Sequence, residues 1–191
     1  RECIALRRKL SQRHHLEMEH IVVGNGTAEL LLLLALALIQ PGDRVLVIAP
    51  TFLEYARTAR LMGAEVHYFT TEATTDFQIE DYDKLADCIE QVQPKLVFSC
   101  QPNNPTGNLL DVAQVAGLMD SFPDTVFVFD EAYLDFITPE QARPSLTSWV
   151  RERANLLILH SMTKNYALAG LRLGYVVGDA ALVQAISQVR P

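Results

Sequence analysis

Short apolar runs alternate with amphipathic stretches along most of the chain. Residues 21–23 (IVV), 44–49 (RVLVIA), 65–69 (EVHYF), 95–100 (KLVFSC), 126–129 (VFVF), 156–159 (LLIL) and 174–177 (GYVV) have the length and continuity of buried strands. Helical patterns fill the intervals. Residues 3–16 carry apolar Ile4, Leu6 and Leu10 beneath a basic outer face. Residues 28–39 are apolar throughout except at Glu29, and stop at Gln40-Pro41-Gly42-Asp43. Further helices are predicted over 53–62, over 81–91 with Leu85, Cys88 and Ile89 inward, over 111–120, and from Ala180 onward. The polar stretch 71–80 reads as a loop, and 138–149 as a longer loop with a short helix. Short apolar strands alternating with helices predict an α/β fold: three layers, α/β/α, around a mostly parallel sheet covered on both faces. No internal repeat or low-complexity tract interrupts it.

Composition narrows the class. The chain has 191 residues, 49% of them apolar and 20% charged, the proportions of a globular domain. That length suits one large domain or two small ones. The formal charge of −7 argues against nucleic acid as a partner, because phosphate binding needs a basic surface. The apolar run Leu30–Ile39 is about half of what a membrane span requires, so a buried helix is the expected reading. The beginning of the sequence has no signal-peptide pattern. Cys3, Cys88 and Cys100 are scattered and odd in number, which fits a reducing, cytoplasmic compartment and neither a disulfide framework nor a zinc site. None of the five histidines falls in a metal-binding spacing.

The polar and glycine-rich clusters sit just after strands: Gly24–Thr27, Pro50–Tyr55, Gln101–Gly107, Asp130–Tyr133 and Ser161–Lys164. In a parallel sheet these meet at one edge, where ligands bind. Lys164 follows a strand, and an amine held neutral in an apolar setting is what a Schiff base with an aldehyde requires. Ser161, Thr163 and Arg172 add two hydroxyls and a guanidinium, a set suited to a phosphate dianion. Asp130, after four apolar residues, needs a cationic or N–H partner: a protonated pyridine nitrogen would serve, and so would a helix N-terminus. Tyr133, three residues on, would reach the same ligand. Gly24-Asn25-Gly26-Thr27-Ala28 before an apolar helix offers free backbone N–H groups to an anion, although Glu29 breaks the GxGxxG pattern. Asn104 lies in a turn fixed by two prolines and a glycine. Phe52 would stack on a planar ring or pack in the core.

The segments VVGNGTAELL, PGDRVLVIAPTFLEY, QPNNPTG, VFDEAYLDF and HSMTKNYALAGLRLGY, in this order over residues 22–175, resemble the large domain of fold type I pyridoxal-phosphate enzymes of the aminotransferase class I/II group. Within that group the histidinol-phosphate aminotransferase branch and the related threonine-phosphate decarboxylases are most similar. The resemblance implies pyridoxal 5′-phosphate as cofactor. It implies that Lys164 links the coenzyme covalently and moves the proton between the substrate Cα and the coenzyme, while Asp130 pairs with the pyridine nitrogen. Asn104 and Tyr133 would hydrogen-bond the ring O3′. Gly26, Thr27 and Ala28 would meet the phosphate at the helix start, with Ser161, Thr163 and Arg172 completing the cup. Phe52, where relatives often have Tyr, would stack on the ring, and Tyr55 would line the same pocket. The implied partners are a small-molecule amino donor, a 2-oxo acid acceptor and a second copy of the chain in a homodimer.

At about half the family's usual length, residues 1–191 are expected to be the coenzyme-binding large domain, without the N-terminal arm and the small C-terminal domain. The alternative within enzymes is threonine-phosphate decarboxylation. A regulatory role would need a basic DNA-binding segment, which this sequence lacks.

Overall fold

A computed structural model describes residues 3–138 and 145–190. Its strands are β1 (Ile21–Gly24), β2 (Arg44–Ala49), β3 (Glu65–Thr70), β4 (Leu96–Cys100), β5 (Val126–Asp130), β6 (Leu156–Ser161) and β7 (Gly174–Gly178). Its α-helices are α1 (Ile4–His14), α2 (Gly26–Leu38), α3 (Glu54–Leu61), α4 (Tyr82–Val92), α5 (Val112–Ser121) and α6 (Ala180–Gln188). The strands form one sheet in the order β1-β7-β6-β5-β4-β2-β3. Neighbours pair in parallel except at β7, which runs antiparallel to both β1 and β6. The expected α/β/α sandwich around a mostly parallel sheet is the observed architecture.

Strand alternation divides the core between the two faces. On one face Leu30, Leu31 and Leu34 of α2, Tyr55, Ala56 and Ala59 of α3, and Val183 and Ile186 of α6 pack over Val47, Phe98, Val128, Leu159 and Val176. On the other, Leu10 of α1, Leu85 and Ile89 of α4, and Val115 and Met119 of α5 cover Leu46, Val97, Phe127, Ile158 and Val177. Strands buried on both faces explain why their sequences are nearly continuous apolar runs.

Helix ends differ from the sequence expectation by a residue or two, for identifiable reasons. Asp81 and Asp111 are caps rather than helical residues, each side chain accepting two backbone N–H bonds from the first turn. Asp179 caps α6 in the same way. Helix α2 begins at Gly26, two residues before the expected start at Ala28. Within α2, Leu32 and Leu36 face outward and are exposed. No described helix is long and apolar enough to cross a membrane. A single 3₁₀ turn, 73–75, lies in the loop 71–80, and another, 146–149, lies in the loop 138–149, of which 139–144 are outside the described residues.

Candidate functional site

The parallel register brings the carboxyl ends of β1, β2, β4, β5 and β6 to one edge, and β7 starts there. Cys100 is level with Asp130, Ser161 with Gly174, and Gly24 with Gly174. All five polar clusters therefore meet on that edge, as the spacing predicts.

One end of the edge is built for an anion. The first turn of α2 (Gly26, Thr27, Ala28) has backbone N–H groups without intrahelical partners, and the helix dipole adds partial positive charge there. Gly26 has φ +78°, and a Cβ on it would lie 2.8 Å from Arg172 Nη2, so the guanidinium rests directly over the helix start. A Cβ on Gly174 would lie 3.0 Å from the Thr27 backbone nitrogen and 3.1 Å from the Gly26 carbonyl carbon. Two glycines thus let strand, helix start and guanidinium close around one spot. Thr27 is half-buried and Ala28 exposed. Ser161, half-buried at the end of β6, accepts the Thr163 N–H through Oγ at 3.3 Å, which brings the two hydroxyl residues together.

The middle is a buried carboxylate. Asp130 ends β5 with 5% of its surface exposed. Its Oδ2 accepts the Tyr55 hydroxyl at 2.9 Å and its Oδ1 the Ala132 N–H at 3.0 Å. Burial raises its pKa, opposed by these hydrogen bonds and by the positive charge of Lys164. Tyr55 is fully buried, its ring stacked on Phe98 at 5.4 Å and 2°. It therefore lies beneath the site and not on an open wall, as its hydroxyl reaches inward to the carboxylate. Burial, with the Asp130 charge next, pushes its pKa well up. Cys100 is buried alongside, and burial, then Asp130, pushes its thiol up to about 12. Phe52, 38% exposed, presents its edge to Tyr55 at 5.6 Å and leaves the core to Phe98.

The far side is the 101–108 turn. Its two asparagines have different surroundings. Asn103 donates through Nδ2 to the Pro50 carbonyl and to Thr106 Oγ1, at 2.8 and 2.9 Å, and accepts the Thr51 hydroxyl at 2.8 Å. It ties this turn to the one after β2. Asn104 is half-buried, and its side chain makes no hydrogen bond among the described residues. It lines a cavity of about 390 Å³ with Tyr133, Pro102, Pro105, Phe136 and Ile137. Tyr133 is half-buried, and Lys164 Nζ stands 5.3 Å from its ring centroid. Lys164 is exposed, in contrast to the apolar setting expected, because β6 ends at Ser161 and the lysine stands in the turn beyond it. Asn165 beside it donates to Asp135 at 2.6 Å, linking that turn to the segment after β5.

Three residues with clear structural work at this edge had no role in the sequence reading: Asn103, Glu131 and His160. Glu131 is buried, accepting the Ser145 hydroxyl at 2.5 Å and the Leu146 N–H at 2.9 Å. Burial pushes its carboxyl up to about 7. The one signal was position: a carboxylate directly after Asp130 must point to the opposite face of the sheet.

The sequence model of the family described as aminotransferase class I and II matches residues 1–191. Histidinol-phosphate aminotransferase of Moorella thermoacetica is 38% identical over 189 residues, which cover 98% of this chain and 48% of that protein. The crystal structure of L-threonine-O-3-phosphate decarboxylase from Porphyromonas gingivalis superposes with a TM-score of 0.78 at 29% identity, over 97% of this chain and 55% of that one. Histidinol-phosphate aminotransferase from Sinorhizobium meliloti, solved in complex with pyridoxal-5′-phosphate, gives a TM-score of 0.87 at 23% identity, over 99% of this chain and 50% of that one, a likeness of fold. The chain spans about half the length of the curated relatives it matches.

Proposed function

The chain belongs to the aminotransferase class I and II family, and from that membership we propose that it binds pyridoxal 5′-phosphate and serves amino-group transfer between an amino acid or amino alcohol phosphate and a 2-oxo acid. The observation that carries this reading is the guanidinium of Arg172 lying over Gly26 at the start of α2, on the same sheet edge as buried Asp130 and Lys164. The coenzyme's groups find a matching donor set here. Its phosphate fits the cradle that a Cβ on Gly26 or Gly174 would fill, with Thr27, Ala28, Ser161, Thr163 and Arg172 around it. Its pyridine nitrogen fits Asp130, its aldehyde the Lys164 amine, its ring face Phe52, and its phenolic oxygen Asn104 and Tyr133.

When bound, the coenzyme supplies an electron sink for the charge that develops at the substrate Cα. The protein does the rest. Asp130, hydrogen-bonded by Tyr55 and Ala132, holds a proton at the ring nitrogen. Arg172 and the α2 N-terminus hold the phosphate and so fix the ring's position. Lys164 would move the proton between the substrate Cα and the coenzyme C4′, the role of a general acid and base. Tyr133, whose ring centroid lies 5.3 Å from Lys164 Nζ, orients that amine.

This reading makes residues 1–191 the coenzyme-binding large domain, working in a cytoplasmic homodimer. Among substrates, histidinol phosphate with 2-oxoglutarate is favoured by the 38% identity to the Moorella relative. Threonine-phosphate decarboxylation is the second reading, favoured by the 29% identity to the Porphyromonas structure. The test offers the coenzyme-loaded protein each substrate in a single turnover. Transfer of the amino group from histidinol phosphate to the coenzyme supports the proposal. Carbon dioxide release from O-phosphothreonine without amino transfer supports the second reading and overturns the first.

A further inference from the structure

A chain of polar groups, with Glu131 and Thr147 buried and Ser145 and His160 half-buried, runs under the site, on the sheet face opposite Asp130. Glu131 Oε2 accepts the Ser145 hydroxyl at 2.5 Å, and Oε1 accepts the Leu146 N–H. Ser145 Oγ contacts Thr147 Oγ1 at 2.8 Å and accepts the Thr147 N–H at 3.1 Å. Thr147 Oγ1 in turn meets His160 Nε2 at 3.0 Å. Glu131 adjoins Asp130 and stands two residues before Tyr133, and His160 immediately precedes Ser161. The chain thus begins at the end of β5, which carries Asp130, and finishes at the end of β6, the strand that leads into the turn holding Lys164.

The donors have a consistent direction. With Glu131 ionised, Ser145 gives its one hydroxyl hydrogen to it, so Ser145 Oγ accepts from the Thr147 hydroxyl. Thr147 Oγ1 then accepts from His160, which carries its proton on Nε2. Burial keeps His160 neutral, its pKa pushed down to about 3, so its 3.9 Å approach to Glu131 is not an ion pair. The His160 ring is held by stacking on Tyr175 at 4.7 Å and His14 at 5.5 Å, and Leu146 is 1% exposed. Both ends and the middle of the chain are thereby anchored in the core.

We propose that Glu131 is a positioning residue: through Ser145 and Thr147 it ties the end of β5 to His160 at the end of β6, and so sets the relation of Asp130 and Tyr133 to Lys164. The functional part of this rests on the reading of Lys164 as the coenzyme's attachment point, while the tie itself is a property of the chain without coenzyme.

The test uses Thr147→Val, which keeps the side chain's shape and removes its hydroxyl, Thr147→Ser, which restores the hydroxyl, and Glu131→Gln. Backbone amide exchange is measured first, without coenzyme. Thr147→Val and Glu131→Gln are expected to speed exchange about tenfold at both 131–134 and 162–164, the effect of one lost buried hydrogen bond, with β3 unchanged and Thr147→Ser at the wild-type rate. Pyridoxal 5′-phosphate is then added. The same two variants are expected to move the pH midpoint of its visible absorption and to bind it several-fold more weakly, with Thr147→Ser again like wild type.

Loosening confined to 145–150, with exchange at 131–134 and 162–164, coenzyme affinity and pH midpoint all unchanged, would overturn the proposal. Should Glu131→Gln not fold, the two Thr147 variants decide it alone. A wild-type chain that takes no coenzyme on Lys164 contradicts the proposed function, and the exchange measurement still decides the tie.

Discussion

The Tyr55 hydroxyl donates to Asp130 Oδ2 at 2.9 Å, and both residues are buried. An ionised carboxylate out of water depends on such donors, and Asp130 has two, this hydroxyl and the Ala132 N–H. Tyr55→Phe keeps the stack on Phe98 and removes one donor from a charged acceptor. The expected loss is about 1.5–3 kcal/mol of stability. Because the hydroxyl lowers the Asp130 pKa, its removal favours the protonated carboxyl and weakens any cationic ring partner. Denaturant titration and coenzyme titration by fluorescence check the two effects, and both are expected to fall together.

The neighbouring asparagines separate in the same pair of measurements. Asn103 makes three side-chain hydrogen bonds, two of which, to Pro50 and Thr51, join the turns after β2 and β4, while the third, to Thr106, braces its own turn. Asn103→Ala is expected to lower stability by about 2 kcal/mol. Asn104 makes none among the described residues, so Asn104→Ala is expected to leave stability within about 0.5 kcal/mol and to weaken coenzyme binding about tenfold.

Two glycines at the anion end are expected to differ in what they disturb. A Cβ at Gly26 meets the far end of the flexible Arg172 side chain, which moves aside, while the residue's φ of +78° costs about 1 kcal/mol with alanine. Gly26→Ala therefore reduces coenzyme affinity more than stability. A Cβ at Gly174 meets the backbone of Thr27, Gly26 and His160 at 3.0–3.1 Å, none of which moves cheaply. Gly174→Ala is expected to cost about 2–3 kcal/mol of stability, read as a drop in unfolding midpoint.

Glu131 and His160 titrate in opposition. Glu131 has its pKa raised from 4.5 to about 7 on folding, so the native state holds its proton more tightly, and stability from this group falls as pH rises from 4.5 to 7. His160 has its pKa lowered from 6.5 to about 3, so its contribution is present above 6.5 and is lost as pH falls toward 3. Between 4.5 and 6.5 the two slopes offset each other. Glu131→Gln removes the first. Its stability relative to wild type is expected to gain with rising pH across 4.5–7, by on the order of 3 kcal/mol. His160→Gln removes the second, and its stability relative to wild type is expected to gain as pH falls from 6.5 to 3. Parallel unfolding curves at several pH values check both signs.

The sheet and its helices were legible because each strand is buried on both faces and each loop at the ligand edge carries glycine, proline or a capping aspartate. Asp81 and Asp111 show the residual error: from sequence alone a cap is easily read as the first helical residue. The convergence of the five clusters was legible from order alone, since parallel strands must end at one edge. The exposure of Lys164 and the inward turn of Tyr55 were not, because they depend on where β6 stops and on which ring Phe98 meets. Asn103, Glu131 and His160 were passed over for a common reason. Each works through contacts to residues distant in sequence (Pro50, Ser145 and Thr147), and no local pattern marks those pairs.

The central claim is that Lys164, Asp130 and the Arg172–Gly26 cradle form one coenzyme site. It is tested most directly by adding pyridoxal 5′-phosphate, reducing with borohydride and mapping the modified residue by mass spectrometry. The account predicts a single label on Lys164, lost in Lys164→Ala and much reduced when Arg172 is replaced by Ala. Label spread over Lys9, Lys84 and Lys95 as well, and unaffected by Arg172, would contradict it.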